Sequence, residues 1–328
     1  MITVIIPCLN EEAVLPQIYT RVTAAASAWG EPYEIILIDD GSTDGTWERI
    51  KSFHRRDQRW KGVRLARNFG HQAALGVGLH AARGRAVVIL DADLQDPPEL
   101  IQEFVQQWRD GFPIVYGVRN ERPEGWHKRI CYAGFYWLLT KTAAVPMPGD
   151  AGDFCLLDRK VVEVLKSLKE AHPYWRGLRA WTGFRQIGIP YTRHSRQGGE
   201  PQYSLRKLLK LASDGFWSVS HAPMLMIKGL SWISLLVLII LAWTISKDAA
   251  TVASSSMLLA LMLLGVGQIL GFSLLGRLVN RIHDQVRQRP RWLIASTIGM
   301  KKRHREQHKQ DTGLDLEKTH VTGLPIIP

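Results

Sequence analysis

The sequence predicts an α/β domain followed by a pair of apolar helices, and three observations carry that prediction. From residue 1 to about 200, strand-like runs (ITVIIP, YEIILIDD, GVRLA, AVVILDA, PIVYGV) alternate with helical stretches rich in Ala, Leu, Gln and Glu. This order is the pattern of parallel strands joined by crossover helices. Polar clusters follow the strands: Pro7-Cys8-Leu9-Asn10-Glu11 after the first, Asp39-Asp40-Gly41-Ser42 after the second, Asp91-Ala92-Asp93 after the fourth. Beyond the domain lie two long apolar runs, Met224 to Ile245, interrupted only by Lys228, and Met257 to Leu275, which carries no charge.

The first strand opens the chain directly. Met1-Ile2-Thr3-Val4-Ile5-Ile6-Pro7 has no basic leader and reads as β structure rather than as a secretory signal. Ligands in open α/β sheets collect beyond the carboxyl ends of the strands, so the three polar clusters converge on one edge and define a site. The third cluster raises a specific electrostatic question. Side chains two apart on an extended chain point the same way, which sets Asp91 and Asp93 side by side and repelling unless a cation bridges them. Helix capping is the competing use for such residues, but Asp96-Pro97-Pro98-Glu99 serves that purpose better as a helix start. Magnesium or manganese is the cation that hard carboxylate oxygens imply, and such sites recruit substrate phosphates as further ligands. A nucleoside diphosphate is the expected metal-bound group.

Each apolar run approaches the roughly 20 residues that a membrane-spanning helix needs. The runs could be buried core helices, but two of them joined by the short SKDAATVASSS read as a membrane hairpin. Arg206, Lys207 and Lys210 precede the first span, and Arg277, Arg281 and Arg287 follow the second. Positive-inside orientation then puts both ends in the cytoplasm. Two further segments, 125–143 and 203–221, carry basic, aromatic and leucine residues at helical spacing and read as interfacial helices. The expected organisation is a cytoplasmic α/β domain over 1–200, containing an interfacial helix at about 125–145. A juxtamembrane helix over 201–222, spans at 223–246 and 253–277, and a basic cytoplasmic segment and tail over 278–328 complete it.

Composition narrows the function. With 328 residues, 46% apolar and 22% charged, the chain holds a full catalytic core plus an appendage. Its net charge of +12 flanks the apolar spans rather than forming a nucleic-acid reading motif. Three cysteines, Cys8, Cys131 and Cys155, have no metal-type spacing and suit a reducing compartment.

An ordered series of segments, VIIPCLNEE, ILIDDGSTDGT, LARNFGHQAAL, DADLQDPPE, GDFCLLDRKVV, YWRGLRAWTGF and GGEPQYSLRKLLKLASDG followed by two spans, resembles glycosyltransferase family 2. Within it the chain is similar to the polyprenyl-phosphate glycosyltransferases, the group of dolichyl-phosphate mannosyltransferase and the bacterial undecaprenyl-phosphate glucosyltransferases. The resemblance covers Thr3 to about Gly299 and implies a GT-A, Rossmann-like fold. It implies that Pro7, Leu9, Asn10, Glu11, Asp39 and Asp40 hold the base and ribose of a nucleotide sugar, with Asp91 and Asp93 as the metal motif and Gln95 beside them. Asp153 matches the position proposed as catalytic base. Arg119, Arg122, Lys128 and Arg129 would meet the acceptor phosphate of undecaprenyl or dolichyl phosphate, and Arg193 or Arg196 the donor diphosphate. UDP-glucose is the donor expected by similarity, with GDP-mannose the alternative; the product would be a polyprenyl-phosphate sugar for glycan or lipopolysaccharide modification.

Two positions depart from the family pattern: Cys155 stands where an Arg is common, and Gln202 where a Lys is common. Gln288-Arg289-Pro290-Arg291-Trp292 matches the QxxRW pattern of processive polysaccharide synthases, but it follows the last span and two helices are too few to line a polymer channel. A non-catalytic membrane adaptor with the same fold is a further reading, disfavoured by the retention of two repelling carboxylates. A homo-oligomer, dimer or tetramer, would bury more apolar surface than one hairpin.

Overall fold

The computed structural model describes residues 1–119, 151–192, 222–247 and 254–300. The strands are β1 (Ile2–Cys8), β2 (Tyr33–Asp39), β3 (Trp60–Leu65), β4 (Ala86–Ile89), β5 (Ile114–Arg119), β6 (Ala151–Asp158), β7 (Gln186–Tyr191) and β8 (Ile294–Ile298). The helices are α1 (Leu15–Ala26), α2 (Thr46–Arg56), α3 (His71–Ala81), α4 (Ile101–Arg109), α5 (Arg159–Ser167), α6 (Trp175–Trp181), α7 (Ala222–Lys247) and α8 (Ser254–Arg287). All eight strands form one sheet in the order β7-β5-β6-β4-β1-β2-β3-β8.

Every residue of β1 is buried, because helices cover both faces of the sheet and a central parallel strand then has no solvent side. The alternation of side chains sorts its residues. Ile2, Val4 and Ile6, with Ile35 and Leu37 of β2, join α1, α2 and α4 in one core layer. Ile5, Ile36 and Ile38 join α3, α5 and α6 in the other. The result is a helix-sheet-helix sandwich.

The expected parallel strands are present, and two antiparallel strands join them to make a mixed sheet. β1 pairs in parallel with β2 and β4, β2 with β3, and β5 with β7, but β6 runs antiparallel between β4 and β5. Since β6 begins at the sheet end where β5 stops and lies beside it, it can only run back. The other antiparallel strand is β8, which pairs with β3 after the chain has passed through both apolar helices.

Of those helices, Leu261–Arg287 is a 27-residue stretch long and apolar enough to cross a bilayer. Its counterpart among the described side chains of α7, Ile227–Ile240, is shorter. Both present large apolar side chains outward, including Trp232, Ile239, Leu263 and Phe272. Helix α8 also continues past the expected span end at 277, to Arg287. The interfacial segments expected at 125–145 and 203–221, and the tail beyond residue 300, lie outside the described residues.

Candidate active site

The first polar cluster is laced to the second. Asn10 takes a left-handed conformation with φ 57°, donates its backbone N–H to Ser42 Oγ at 2.9 Å and accepts from Thr43 N at 2.9 Å. Glu11 N donates to Thr46 Oγ1 at 2.9 Å, and the Glu12 carboxylate accepts from Gly45 N at 2.9 Å. Asp39 is fully buried; one oxygen accepts from Ser42 N at 2.8 Å and the other lies 3.2 Å from Arg64 Nε. Asp40 accepts from Phe69 N and Gly70 N at 2.8 and 2.9 Å, although burial, the larger influence, raises its pKa above the ordinary carboxylate value. Gly41, next in the chain, has φ +74°, and a Cβ there would stand 2.7 Å from Asn68 N, so no other residue fits. Asp39 and Asp40 thus brace the edge on which Leu9 to Glu11 are displayed, while Pro7 lies inside β1.

The third cluster meets β6. Ile89 of β4 is registered opposite Cys155, so two residues further along each antiparallel chain bring Asp91 opposite Asp153. Two half-buried carboxylates facing each other require cations, and helices supply them. His71, the first residue of α3, places Nε2 3.8 Å from Asp91 Oδ1 and 3.7 Å from Asp153 Oδ2. Arg176 of α6 reaches Asp153 with two nitrogens, at 3.2 and 3.3 Å. Burial opposes a charge on His71, but the two carboxylates outweigh it and push its pKa up to about 9. Asp153, despite burial, is held far below the ordinary carboxylate range by Arg176 and His71. Asp91 goes the other way: burial, reinforced by Asp96, Asp153 and Asp93 against the pull of His71, lifts it to about 6. Asp91 lies just past β4 and Asp93 in the turn that begins at Ala92, with Leu94 at φ 55° and Gln95 N donating to Asp93 Oδ1 at 3.1 Å, so the two are not carried on one extended stretch.

Asp96 corrects another expectation. It does not cap the turn that follows, which starts at Pro98 without a side-chain cap. Instead its fully buried carboxylate accepts from the Tyr191 hydroxyl of β7 and lies 3.9 Å from Arg119 Nη2. Arg119 Nε also donates to the Tyr191 oxygen at 3.4 Å. An acceptor-phosphate residue expected from sequence is therefore anchored beside Asp96, on the Asp153 side of the sheet.

Residues 3–165 match the model for glycosyl transferase family 2. The chain is 36% identical over 316 residues to the uncharacterized glycosyltransferase YkcC of Bacillus subtilis, covering 93% of this chain and 97% of that one. The chain belongs to glycosyl transferase family 2. Another relative, the bactoprenol glucosyl transferase of Shigella phage SfX, is 33% identical over 304 residues, 90% of this chain and 99% of the phage protein. Among solved structures, glucosyl-3-phosphoglycerate synthase from Mycobacterium tuberculosis overlaps 65% of this chain and 75% of its own at a TM-score of 0.48 and 20% identity.

For a family 2 glycosyltransferase the mixed α/β sheet is the GT-A arrangement that the sequence resemblance implied. Its expected residues divide by position. Leu9, Asn10, Glu11, Asp39 and Asp40 line one stretch of the sheet edge; Asp91, Asp93, Gln95, Asp153 and Arg119 gather on the other. Arg122, Lys128, Arg129, Arg193 and Arg196 lie outside the described residues. His71, Arg176, Asp96 and Tyr191 were missed as site residues. His71 had a readable signal, a polar residue just past the strand end of β3, whereas Arg176 arrives from a helix after an antiparallel strand and obeys no such rule.

A divalent cation fits the carboxylates present. Asp91 Oδ1 is buried without a hydrogen bond, an orphaned hard oxygen of the kind such an ion satisfies. Among the described residues no three His, Cys, Asp or Glu side chains form a complete cage. Magnesium and manganese ions are commonly held by one or two carboxylates and completed by substrate phosphates.

Proposed function

We propose that this chain is a membrane-bound inverting glycosyltransferase that moves a hexose from a nucleotide sugar, UDP-glucose, to a polyprenyl phosphate at the cytoplasmic leaflet. The observation that carries the reading is the meeting of Asp91 and Asp153 across β4 and β6, with His71 and Arg176 between and behind them. The name of the phage relative, a bactoprenol glucosyl transferase, supports the sugar and the lipid carrier. The product would serve glycan or lipopolysaccharide modification.

In this reading the loop from Pro7 to Glu11, with Asp39 and Asp40, receives the nucleoside, and Arg193 and Arg196 meet the diphosphate. Asp91 and Asp93, beside Gln95, hold Mg²⁺ or Mn²⁺, which when bound supplies Lewis-acid stabilisation of the departing diphosphate. Arg119, Arg122, Lys128 and Arg129 hold the acceptor phosphate. A phosphate monoester, with its second pKa near about 6, is already a nucleophile at neutral pH. Its oxygen attacks the anomeric carbon, the nucleoside diphosphate leaves from the opposite side, and the configuration inverts. Asp153, kept ionised by Arg176, is a poor proton acceptor and a good hydrogen-bond acceptor, so it orients the sugar or acceptor hydroxyls. Positioning and charge stabilisation supply most of the rate.

Spans at 223–246 and 253–277 with both ends cytoplasmic, a juxtamembrane helix over 201–222 and assembly into dimers or tetramers complete the proposal. Support comes from the outward apolar faces of α7 and α8 and the arginines at the end of α8. The test is to incubate the purified full chain with UDP-glucose, GDP-mannose and other donors, a polyprenyl phosphate and Mg²⁺ or Mn²⁺, and to identify the glycolipid by mass spectrometry. A UDP-glucose-dependent product is expected. A mannolipid formed only from GDP-mannose would reassign the donor, and metal and nucleotide binding without turnover would make the chain an adaptor.

A further inference from the structure

The last turn of α8 and the segment that joins it to β8 are bound to the catalytic domain at several residues. Gln285 donates to Lys169 O and accepts from Ala171 N at 2.8 Å; Asp284 pairs with His172 at 3.1 Å; Arg291 Nη2 donates to Leu168 O at 2.8 Å. Leu293 O accepts from Ala66 N at 2.9 Å, and β8 then adds to β3.

Between these ties the Trp292 ring packs against α3. Its six-membered ring covers Gly76 so closely that a Cβ there would stand 2.8 Å from it, and it meets His80 edge-on at 5.2 Å. The same bare patch of helix receives Trp175 of α6, 3.1 Å from that Cβ position. Trp175 is pinned in turn to Gln72, its backbone N–H to Oε1 at 3.0 Å and its indole N–H to the carbonyl at 2.7 Å. Gln72 follows His71, and Trp175 precedes Arg176. The two cations of the Asp91/Asp153 cluster therefore stand one residue from a joint that Trp292 closes.

We propose that Trp292 is a positioning residue: by packing against Gly76 beside Trp175 it fixes α3 and α6 in the relation that delivers His71 and Arg176 to Asp153. The QxxRW match is thus a clamp that ties the end of the long apolar helix to the reaction centre, not a polymer-channel signature. This inference rests on the glycosyl-transfer reading, and it explains two otherwise unrelated features. Gly76 sits in mid-helix, where Ala is ordinarily the more stabilising residue, because a Cβ there would crowd both indoles. And α8 overruns the length a bilayer requires because its last turns must reach the loop over 168–172.

The test compares Trp292→Ala, Trp292→Phe, Gly76→Ala and the double variant Gly76→Ala/Trp292→Phe as purified full chains, below their melting transitions, with kcat and donor KM measured separately. Trp292→Ala is expected to lower kcat at least tenfold with donor KM within threefold, and Trp292→Phe to recover most of it. Gly76→Ala pushes the indole away without removing apolar mass, so it should lower kcat too, and the shorter Phe ring in the double variant should restore it. An unsubstituted protein without turnover on any donor overturns the functional reading. An active protein whose Trp292→Ala and Gly76→Ala variants keep kcat within twofold, losing melting temperature alone, overturns the clamp.

Discussion

Arg176 holds Asp153 in a two-nitrogen grip, Nε 3.3 Å from one oxygen and Nη2 3.2 Å from the other. A carboxylate so paired stays ionised and keeps its orientation, which is the property needed to align hydroxyls and a poor one for taking a proton. Replacing Asp153 with Asn should lower kcat by roughly 10²-fold or more, the order lost when one preorganised electrostatic group is removed from a reaction centre. Steady-state kinetics check this. A variant within a few-fold of the parent would remove Asp153 from the mechanism.

Asp93→Asn should abolish metal-dependent transfer, a loss exceeding about 10²-fold if the ion supplies several kcal/mol. Titration with Mn²⁺ followed by electron paramagnetic resonance should show weaker binding, while the variant still partitions with membranes. Unchanged turnover would place the ion elsewhere.

Tyr191→Phe removes the hydroxyl that donates to the buried Asp96 carboxylate. Leaving a buried polar partner short of a bond costs about 1–3 kcal/mol. The denaturant midpoint of the purified protein should fall accordingly; an unchanged midpoint would mean that Arg119 or water compensates fully.

Acid should weaken the fold through Glu34. This buried carboxylate accepts from Thr3 Oγ1 at 2.7 Å and Arg83 N at 3.0 Å and pairs with Lys61 Nζ at 2.5 Å. Burial alone would raise its pKa, but these donors outweigh it and the net shift is downward. Because the folded value lies below the unfolded one, near about 4.3, its contribution is complete above that pH and is lost as pH falls through the folded value. Glu34→Gln should therefore narrow the gap in melting temperature between pH 7 and pH 4. A gap as wide as the parent's would locate the acid sensitivity in other carboxylates.

What the sequence discloses depends on how local the determinant is. The runs ITVIIP and YEIILIDD announce β1 and β2 because a strand covered on both faces is apolar throughout, and Asp91 and Asp93 stand out because they end such a run. Asp96 was misassigned for an equally local reason: Asp-Pro-Pro-Glu is good capping chemistry, and only a tyrosine 95 residues away reveals its other use. Strand β8, IASTI, is short, weakly apolar and preceded by arginines, so nothing near it announces a place in the sheet. The cation pair His71 and Arg176 converges only because β6 runs backwards, a property of the path rather than of any segment.

The order of strands carries one more implication. The chain leaves the sheet from β7 at one rim and, after α7 and α8, comes back at the opposite rim as β8, so the hydrophobic helices form a bucket handle fastened to both sides of the catalytic body. Cutting the handle off to obtain a water-soluble fragment also strips β3 of its neighbour and bares a row of backbone donors and acceptors that invites sticking between copies. A fragment engineered for solubility should keep residues 288–300 on a linker that rejoins them to the body.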